Sequence, residues 1–400
     1  MANAVVSQSG GPTGVINASL VGVIEQAQKH PKIDKIYGAV HAVAGMKKEH
    51  FVDLTDISPE RLDDIAASPS AALGSSRDKP DTQYCSDILK VFKKWDIEYF
   101  FYIGGNDSAN TCKIINEMAD QAEFDIDLKA FHVPKTVDND LRTTDHCPGY
   151  GTAAKFVACA LQGDDLDNRA LPGVKIDVIM GRDAGWLTAA TTLGRQREDD
   201  GPHLVYLPER PVKIEEIVKQ IKEVYDRLGR CVVAVSEGIR DTDNVVWAKK
   251  LNENPEVDSH GNVQLSGSGA LADYLADKIR IGTGIMRVRA DTFGYLQRSF
   301  PGIQSETDVD EARRCGRQAV IYSQDNDNGS VAMRRLGEGK DYAVELFLTE
   351  LESVAEFTKE LPDEFINEKG NGVTQAFKDY AMPLAGNLPK TDTFLSDPEA

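Results

Sequence analysis

Cysteine is sparse and unpatterned in this chain. Cys85, Cys112, Cys147, Cys159, Cys231 and Cys315 are scattered through 400 residues with no CxxC spacing. That excludes a disulfide framework or a cysteine zinc site and leaves reduced, mostly buried thiols. No stretch reaches the ~18 apolar residues that a membrane-spanning helix needs. The start, Met1-Ala2-Asn3-Ala4, has neither a basic n-region nor a long apolar run, so the expectation is a soluble cytoplasmic protein. Seven histidines show no metal-ligand spacing, and no repeat of 20–50 residues recurs. Positive charge is also short: 45 Lys and Arg stand against 64 Asp and Glu, a net charge of −19. This argues against nucleic acid or an anionic membrane as the main partner. A polyanionic ligand would then need locally concentrated cations, backbone amides or a metal, so each well-placed Lys and Arg carries weight.

The chain has 41% hydrophobic and 27% charged residues, ordinary for a globular protein, and its length allows two or three domains. The pattern alternates short apolar runs with helical periodicity. Strands are expected at 4–6, 35–43, 98–103, 128–133, 174–180, 204–207 and 231–235. Helices are expected at 17–30, from Ser58-Pro59-Glu60, after 108, at 149–161, after 181, and at 214–228, 270–280 and 306–322. This grammar means a mainly parallel α/β sheet with helices on both faces. Residues 241–268 turn to Asp, Asn, Ser and Gly and read as a loop or hairpin excursion; the tail from about 345 holds one amphipathic helix. Trp95, Trp186 and Trp247 have no partner pattern and read as packing residues.

The most informative stretch is Pro134-Lys135-Thr136-Val137-Asp138-Asn139-Asp140, directly after the strand at 128–133. Ligands in open α/β sheets sit beyond the carboxyl ends of strands. A lysine beside a Thr and Asp cluster can bring a cation to phosphate while an aspartate takes a proton. The competing reading is a polar turn with an Asx geometry at Asp138-Asn139. Two strand–glycine–helix junctions elsewhere tip the balance: Ser9-Gly10-Gly11-Pro12-Thr13-Gly14 and Gly104-Gly105-Asn106-Asp107-Ser108. Helix N-termini supply free N–H groups and partial positive charge for phosphate. Asn106 and Asp107 are oxygen donors suited to Mg2+, although Asp107 also suits a helix N-cap. The loop Gly74-Ser75-Ser76-Arg77-Asp78-Lys79 carries two cations that either grip phosphate or stay solvated.

The order of motifs now carries more than any one of them. SGGPTGVINA at 9–18, GSSR at 74–77, GGNDS at 104–108, PKTVDND at 134–140, MGR at 180–182, SEG at 236–238 and RADTFGYLQR at 289–298 resemble the 6-phosphofructokinase family over residues 3 to 340. Within it the chain resembles the pyrophosphate-dependent branch, on two residues. ATP-using members have glycine where this chain has Asp107 and Lys135; a carboxylate and a long ammonium there fill the room for a nucleotide.

The resemblance implies two doubly wound, mainly parallel-sheet domains with the active site in the cleft between them. The phosphate-donor domain takes 1–149 plus about 296–345, the sugar-phosphate domain 150–295, and 346–400 is an extension. It implies reversible, Mg2+-dependent transfer from pyrophosphate to the 1-hydroxyl of fructose 6-phosphate by a homodimer or homotetramer. Asp138 is implied as proton acceptor, with Asp140 in support; Thr136 contacts the transferred phosphate; Gly11, Arg77 and Lys135 hold pyrophosphate; Asn106 and Asp107 hold the metal. Met180, Gly181, Arg182 and Glu237 would bind the sugar, Arg182 also steadying the transition state, and Arg289, Tyr295 and Arg298 would hold its phosphate end. ATP-dependent phosphofructokinase and a catalytically silent sugar-phosphate-binding subunit are the alternatives. Three departures stand out. Asn106 replaces the usual metal aspartate. Gly173, with Lys175 nearby, replaces an expected sugar-phosphate arginine. Val21 and Glu25 stand where allosteric members place effector-binding arginines, so no ADP activation through that site is expected.

Overall fold

The computed structural model describes residues 2–251, 269–355 and 358–396. Its strands are β1 (Ala2–Gln8), β2 (Ile33–Ala39), β3 (Phe51–Asp53), β4 (Ile97–Gly104), β5 (Lys129–Pro134), β6 (Val174–Ile179), β7 (Leu204–Tyr206), β8 (Cys231–Ser236), β9 (Val288–Thr292), β10 (Asn328–Arg335) and β11 (Val344–Thr349). The chain divides into two compact units. One combines Met1–Thr152 with Arg298–Lys359, the other Ala153–Gln297 with Glu360–Ala400. The stretch after 345 is therefore shared between them.

The first unit holds a seven-stranded sheet in the order β11-β10-β5-β4-β1-β2-β3. Its five inner strands are parallel; β3 and β11 pair antiparallel at the two edges. A strand covered on both faces must be mainly apolar, and β4 is so from residue 99 on: Tyr99, Phe101 and Ile103 enter one core cluster, Phe100 and Tyr102 the other. On the first face, helices Ile16–Ala27 and Glu306–Tyr322 approach very closely. A Cβ on Gly22 would lie 2.0 Å from the Arg313 carbonyl oxygen, and one on Gly316 would lie 2.1 Å from that of Ser19. Helix Pro59–Ala67 starts as its sequence predicts, with the Ser58 side chain accepting from the Arg61 N–H.

The second unit has a four-stranded, all-parallel sheet, β7-β8-β6-β9. Ile217, Ile221 and Val224 of helix Ile214–Leu228 and Leu271, Leu275 and Ile279 of helix Ala270–Thr283 close its core at helical spacing. Residues after 360 pack here. Phe365 meets the buried Trp186 edge-on and Tyr380 packs on it at a tilt, and Glu209 accepts from both Gly185 and Leu361 N–H groups. Trp186 is thus a packing residue, as are Trp95 (against Tyr37 and Phe51) and Trp247 (against Tyr274).

Several expectations are corrected. The strand expected at 35–43 ends at Ala39; His41 and Ala42 take positive φ, and helix Ala42–Lys47 follows. Ala42, Val43 and Met46 are buried at helical rather than alternating spacing, which is why an apolar run misled. The tail is not limited to one helix. The β10–β11 hairpin and helix Gln375–Ala385 fall in or beside it. Of the excursion at 241–268, Arg240 and Val246 form a bridge and Trp247–Leu251 is helical; 252–268 lie outside the described residues. Among the described residues no helix is long and apolar enough to cross a membrane.

Candidate active site

The sheet order places β5, β4 and β1 side by side and parallel, with Gln8 opposite Ile103 and Gly104 opposite Pro134. Their carboxyl ends therefore bring the loops 9–14, 104–108 and 135–140 together. Gly104 sits where they touch. A Cβ there would meet Ser108 Oγ at 2.0 Å and Ser9 Oγ at 2.3 Å, and those two hydroxyls are hydrogen-bonded at 2.5 Å. Below lies His132, buried, with one ring nitrogen on Ser330 Oγ and the other on the Gly104 carbonyl, both 2.8 Å. Burial pushes its pKa down to about 4, so it is a neutral support of the strand ends.

Lys135 is the centre of this half-site. It is only 3% exposed, and its ammonium donates to the Gly11 carbonyl oxygen at 2.8 Å. Burial pushes its pKa down to about 8, with the Arg298 and Arg77 charges acting the same way and Asp138 and Asp140 opposing. Gly10 has φ +72°, and a Cβ there would lie 3.1 Å from Lys135 Nζ; a Cβ on Gly11 would lie 2.9 Å from Arg298 Nη1. The two glycines thus leave space that the Lys135 and Arg298 cations border. Loop 74–77 is stitched on through Ser75 Oγ to Gly10 O (2.6 Å) and Gly10 N–H to Ser76 O (2.9 Å), with Arg77 exposed.

Around Asp138, Thr136 Oγ1 accepts from the Asp138 N–H at 3.1 Å, and Asn139 takes φ +55°. Burial raises the Asp140 pKa against the lowering effect of its hydrogen bond from Thr136 and the Lys359 and Lys135 charges. Asn106 opens helix Asn106–Ala119, its Oδ1 accepting from the Asp107 N–H at 2.9 Å; the exposed Asp107 carboxylate lies 3.0 Å from Lys79 Nζ. Arg298, expected at the sugar phosphate, belongs to this unit and stands beside Gly11 and Lys135.

In the second unit, β6 and β8 are neighbours, and Met180, Gly181, Arg182 and Glu237 leave their carboxyl ends together. Glu237 Oε1 accepts from the Gly181 N–H (3.3 Å), and Ser236 Oγ donates to the Gly181 carbonyl (2.6 Å). Gly181 has φ +144°, and a Cβ on Gly238 would lie 1.8 Å from the Arg182 carbonyl oxygen. Sequence reasoning missed Gln297. It is 2% exposed, its amide oxygen accepts from the Met180 N–H (3.3 Å), and its amide nitrogen donates to the Gly294 carbonyl (2.9 Å). It ties the 289–298 motif to the MGR turn. Arg289 and Tyr295 stand exposed on β9 and the turn after it, Arg289 donating to the Val288 carbonyl at 3.1 Å. Lys175 is not available to a sugar phosphate. Its ammonium is paired with Asp291 and lies 3.5 Å from both Asp164 and Asp177. Among the described residues these three aspartates are a group close enough for a metal, but a lysine already supplies the cation there.

Glu25, at the expected effector position, is held by Arg313 (Nε to Oε2, 3.1 Å) and Arg317 (2.9 and 2.7 Å). These arginines hold its carboxyl below its ordinary pKa even though burial alone would raise it.

Comparison with known proteins gives the family. The phosphofructokinase family model matches residues 3–322. A pyrophosphate–fructose 6-phosphate 1-phosphotransferase of Rhodospirillum rubrum is 52% identical over 383 residues, covering 96% of this chain and 94% of the relative. One from Halomonas elongata is 37% identical, covering 96% and 91%. The crystal structure of a pyrophosphate-dependent phosphofructokinase from Nitrosospira multiformis superposes with a TM-score of 0.85 at 33% identity, over 99% of this chain and 95% of that one.

Proposed function

The chain belongs to the phosphofructokinase family, and from that premise we propose that it transfers a phosphoryl group reversibly from pyrophosphate to the 1-hydroxyl of fructose 6-phosphate. The products are fructose 1,6-bisphosphate and phosphate. The observation that carries the choice of donor is the buried Lys135 ammonium on the Gly11 carbonyl. Lys135 fills space that a nucleotide needs and offers a cation to a compact anion instead. Asp107 adds a carboxylate at the neighbouring helix start, where it repels an α-phosphate.

Transfer is in line, so positioning and neutralisation of charge do most of the work. Asp138 takes the proton of the 1-hydroxyl as it attacks. Lys135, Arg77, Arg298 and the Gly11 N–H face the pyrophosphate oxygens, and Thr136 faces the transferred phosphoryl. Met180, Gly181, Arg182 and Glu237 orient the sugar, with Arg289 and Tyr295 at its phosphate end and Arg182 steadying the charge that develops. Asn106 and Asp107 offer one amide oxygen and one carboxylate at a helix start, a donor set that fits Mg2+ completed by phosphate oxygens. Bound there, Mg2+ would supply further neutralisation of the phosphate charge. The same reading makes the protein a cytoplasmic homodimer or homotetramer.

Asp138→Asn tests the assignment of the base. Turnover should fall by about 10²- to 10⁴-fold while fructose 6-phosphate binding, read by calorimetry, changes little. Near-normal turnover in that variant would sink it.

A further inference from the structure

The loop 135–149 carries Asp138 and Asp140 but contains no regular helix or strand. Its backbone groups need partners, and two of its residues, Asn139 (φ +55°) and Thr143 (φ +71°), hold strained left-handed conformations that persist only where the surroundings fix them. Part of the fixing is internal: Asn139 Oδ1 accepts from the Cys147 N–H at 3.0 Å, and Thr136 N–H donates to Pro148 O at 3.2 Å. Much of the rest comes from a distant segment of the chain, beyond the family match. The Lys359 N–H donates to the Asp140 carbonyl at 2.6 Å, and the Lys359 ammonium donates to the carbonyls of Asp145 (2.6 Å) and Thr144 (3.2 Å). Leu141 forms a bridge with Thr358, and Thr143 Oγ1 donates to the Ser353 carbonyl at 3.1 Å. One residue therefore satisfies three carbonyls of this loop and brings its positive charge among Asp140, Asp145, Cys147 and Arg335.

We propose that Lys359 is a positioning residue for phosphoryl transfer, clamping the loop 135–149 so that Asp138 is held in its reactive place and countering the charge of Asp140. The inference rests on the reading of Asp138 as the base. Lys359 does not touch the reacting atoms in this account. It acts through the loop backbone and through its field at Asp140, where its charge works with that of Lys135 against burial.

The test uses the full chain with Lys359→Met, Lys359→Gln and Lys359→Arg, measuring kcat and KM with pyrophosphate and fructose 6-phosphate from pH 5.5 to 9. In Lys359→Met, kcat should fall by about 10- to 100-fold, the size of a small misplacement of reacting groups, with both KM values within about threefold. The acid limb of the kcat profile should move to higher pH, and Lys359→Arg should recover most of the rate. Lys359→Gln keeps an N–H donor for the carbonyls and removes only the charge, so if the methionine variant fails to fold it still reads the field at Asp140 through the acid limb of the kcat profile. A wild-type kcat and profile in Lys359→Met, or an unmoved acid limb in Lys359→Gln where only that variant folds, overturns the proposal. So does a loss confined to the unfolding midpoint. If Asp138→Asn turns over normally, the base assignment fails instead; if Asp138→Asn is dead and Lys359→Met is normal, only the role of Lys359 fails.

Discussion

Lys135→Met separates what the buried ammonium costs the fold from what it contributes to function. A folded-state pKa of about 8 against an ordinary 10.5 corresponds to about 3 kcal/mol against the charged form in the folded protein. Below pH 8 the lysine is protonated both folded and unfolded, so the penalty is fully present. Between about pH 8 and 10.5 the folded protein sheds its proton while the unfolded chain keeps it, and stability rises. Above 10.5 both forms are neutral and the penalty is gone. Methionine removes the charge but leaves the Gly11 carbonyl without its 2.8 Å donor, a loss of about 1–2 kcal/mol. Without ligand at pH 7, Lys135→Met should therefore be more stable than the wild type by about 1–2 kcal/mol, the difference between those two effects. That advantage should vanish and reverse as the pH passes from 8 to 10.5. Denaturant midpoints of both proteins across pH 6.5–11 read this directly. Added pyrophosphate should raise the wild-type midpoint through binding linkage and leave the variant unmoved. A variant less stable at pH 7, by an amount that does not change with pH, would refute the reasoning: the ammonium would then be a stabilising partner of Asp138 and Asp140.

Two further outcomes follow from the same geometry. His146 is buried between Asp145 Oδ2 (2.8 Å) and Glu311 Oε2 (2.7 Å); burial alone would lower its pKa, but the two carboxylates raise it above 6.5. Its contribution is fully present below pH 6.5 and is lost as the pH rises through the folded-state value. His146→Leu should thus cost about 3–5 kcal/mol at pH 6, because it strands buried charge, and less at pH 9; an equal cost at both would be the contrary result. Asp107→Gly combined with Lys135→Gly should open the donor site to ATP and depress the rate with pyrophosphate by at least about tenfold; a double variant that still refuses ATP would show that other groups close the nucleotide pocket.

The sequence makes some of this legible and hides the rest for physical reasons. The two strand–glycine–helix junctions and the 134–140 strand-end loop are local patterns, and the mostly apolar run at 98–103 reads as a strand. The meeting of their loops then follows from parallel β1, β4 and β5 being neighbours. What stays hidden depends on side-chain direction and on distance along the chain. Lys135 reads as a cation at a strand end, but nothing local says that it turns inward to Gly11. Lys175 looks like a spare phosphate ligand until three aspartates from separate elements surround it. Gln297 sits inside a recognised motif, yet its bonds to Met180 and Gly294 come from the fold. The β10–β11 hairpin is hidden because β10 opens on Asn328-Gly329-Ser330 and ends in two arginines, which leaves only a short apolar run between them. Lys359 lies more than 200 residues from the loop it holds, and no local pattern links the two.

The most direct measurement is the rate of fructose 1,6-bisphosphate formation by the wild-type protein with Mg2+, comparing pyrophosphate with ATP as donor. Turnover with pyrophosphate and none with ATP is the predicted result. Turnover with ATP and none with pyrophosphate would contradict the account, because Lys135 and Asp107 would then leave room for a nucleotide.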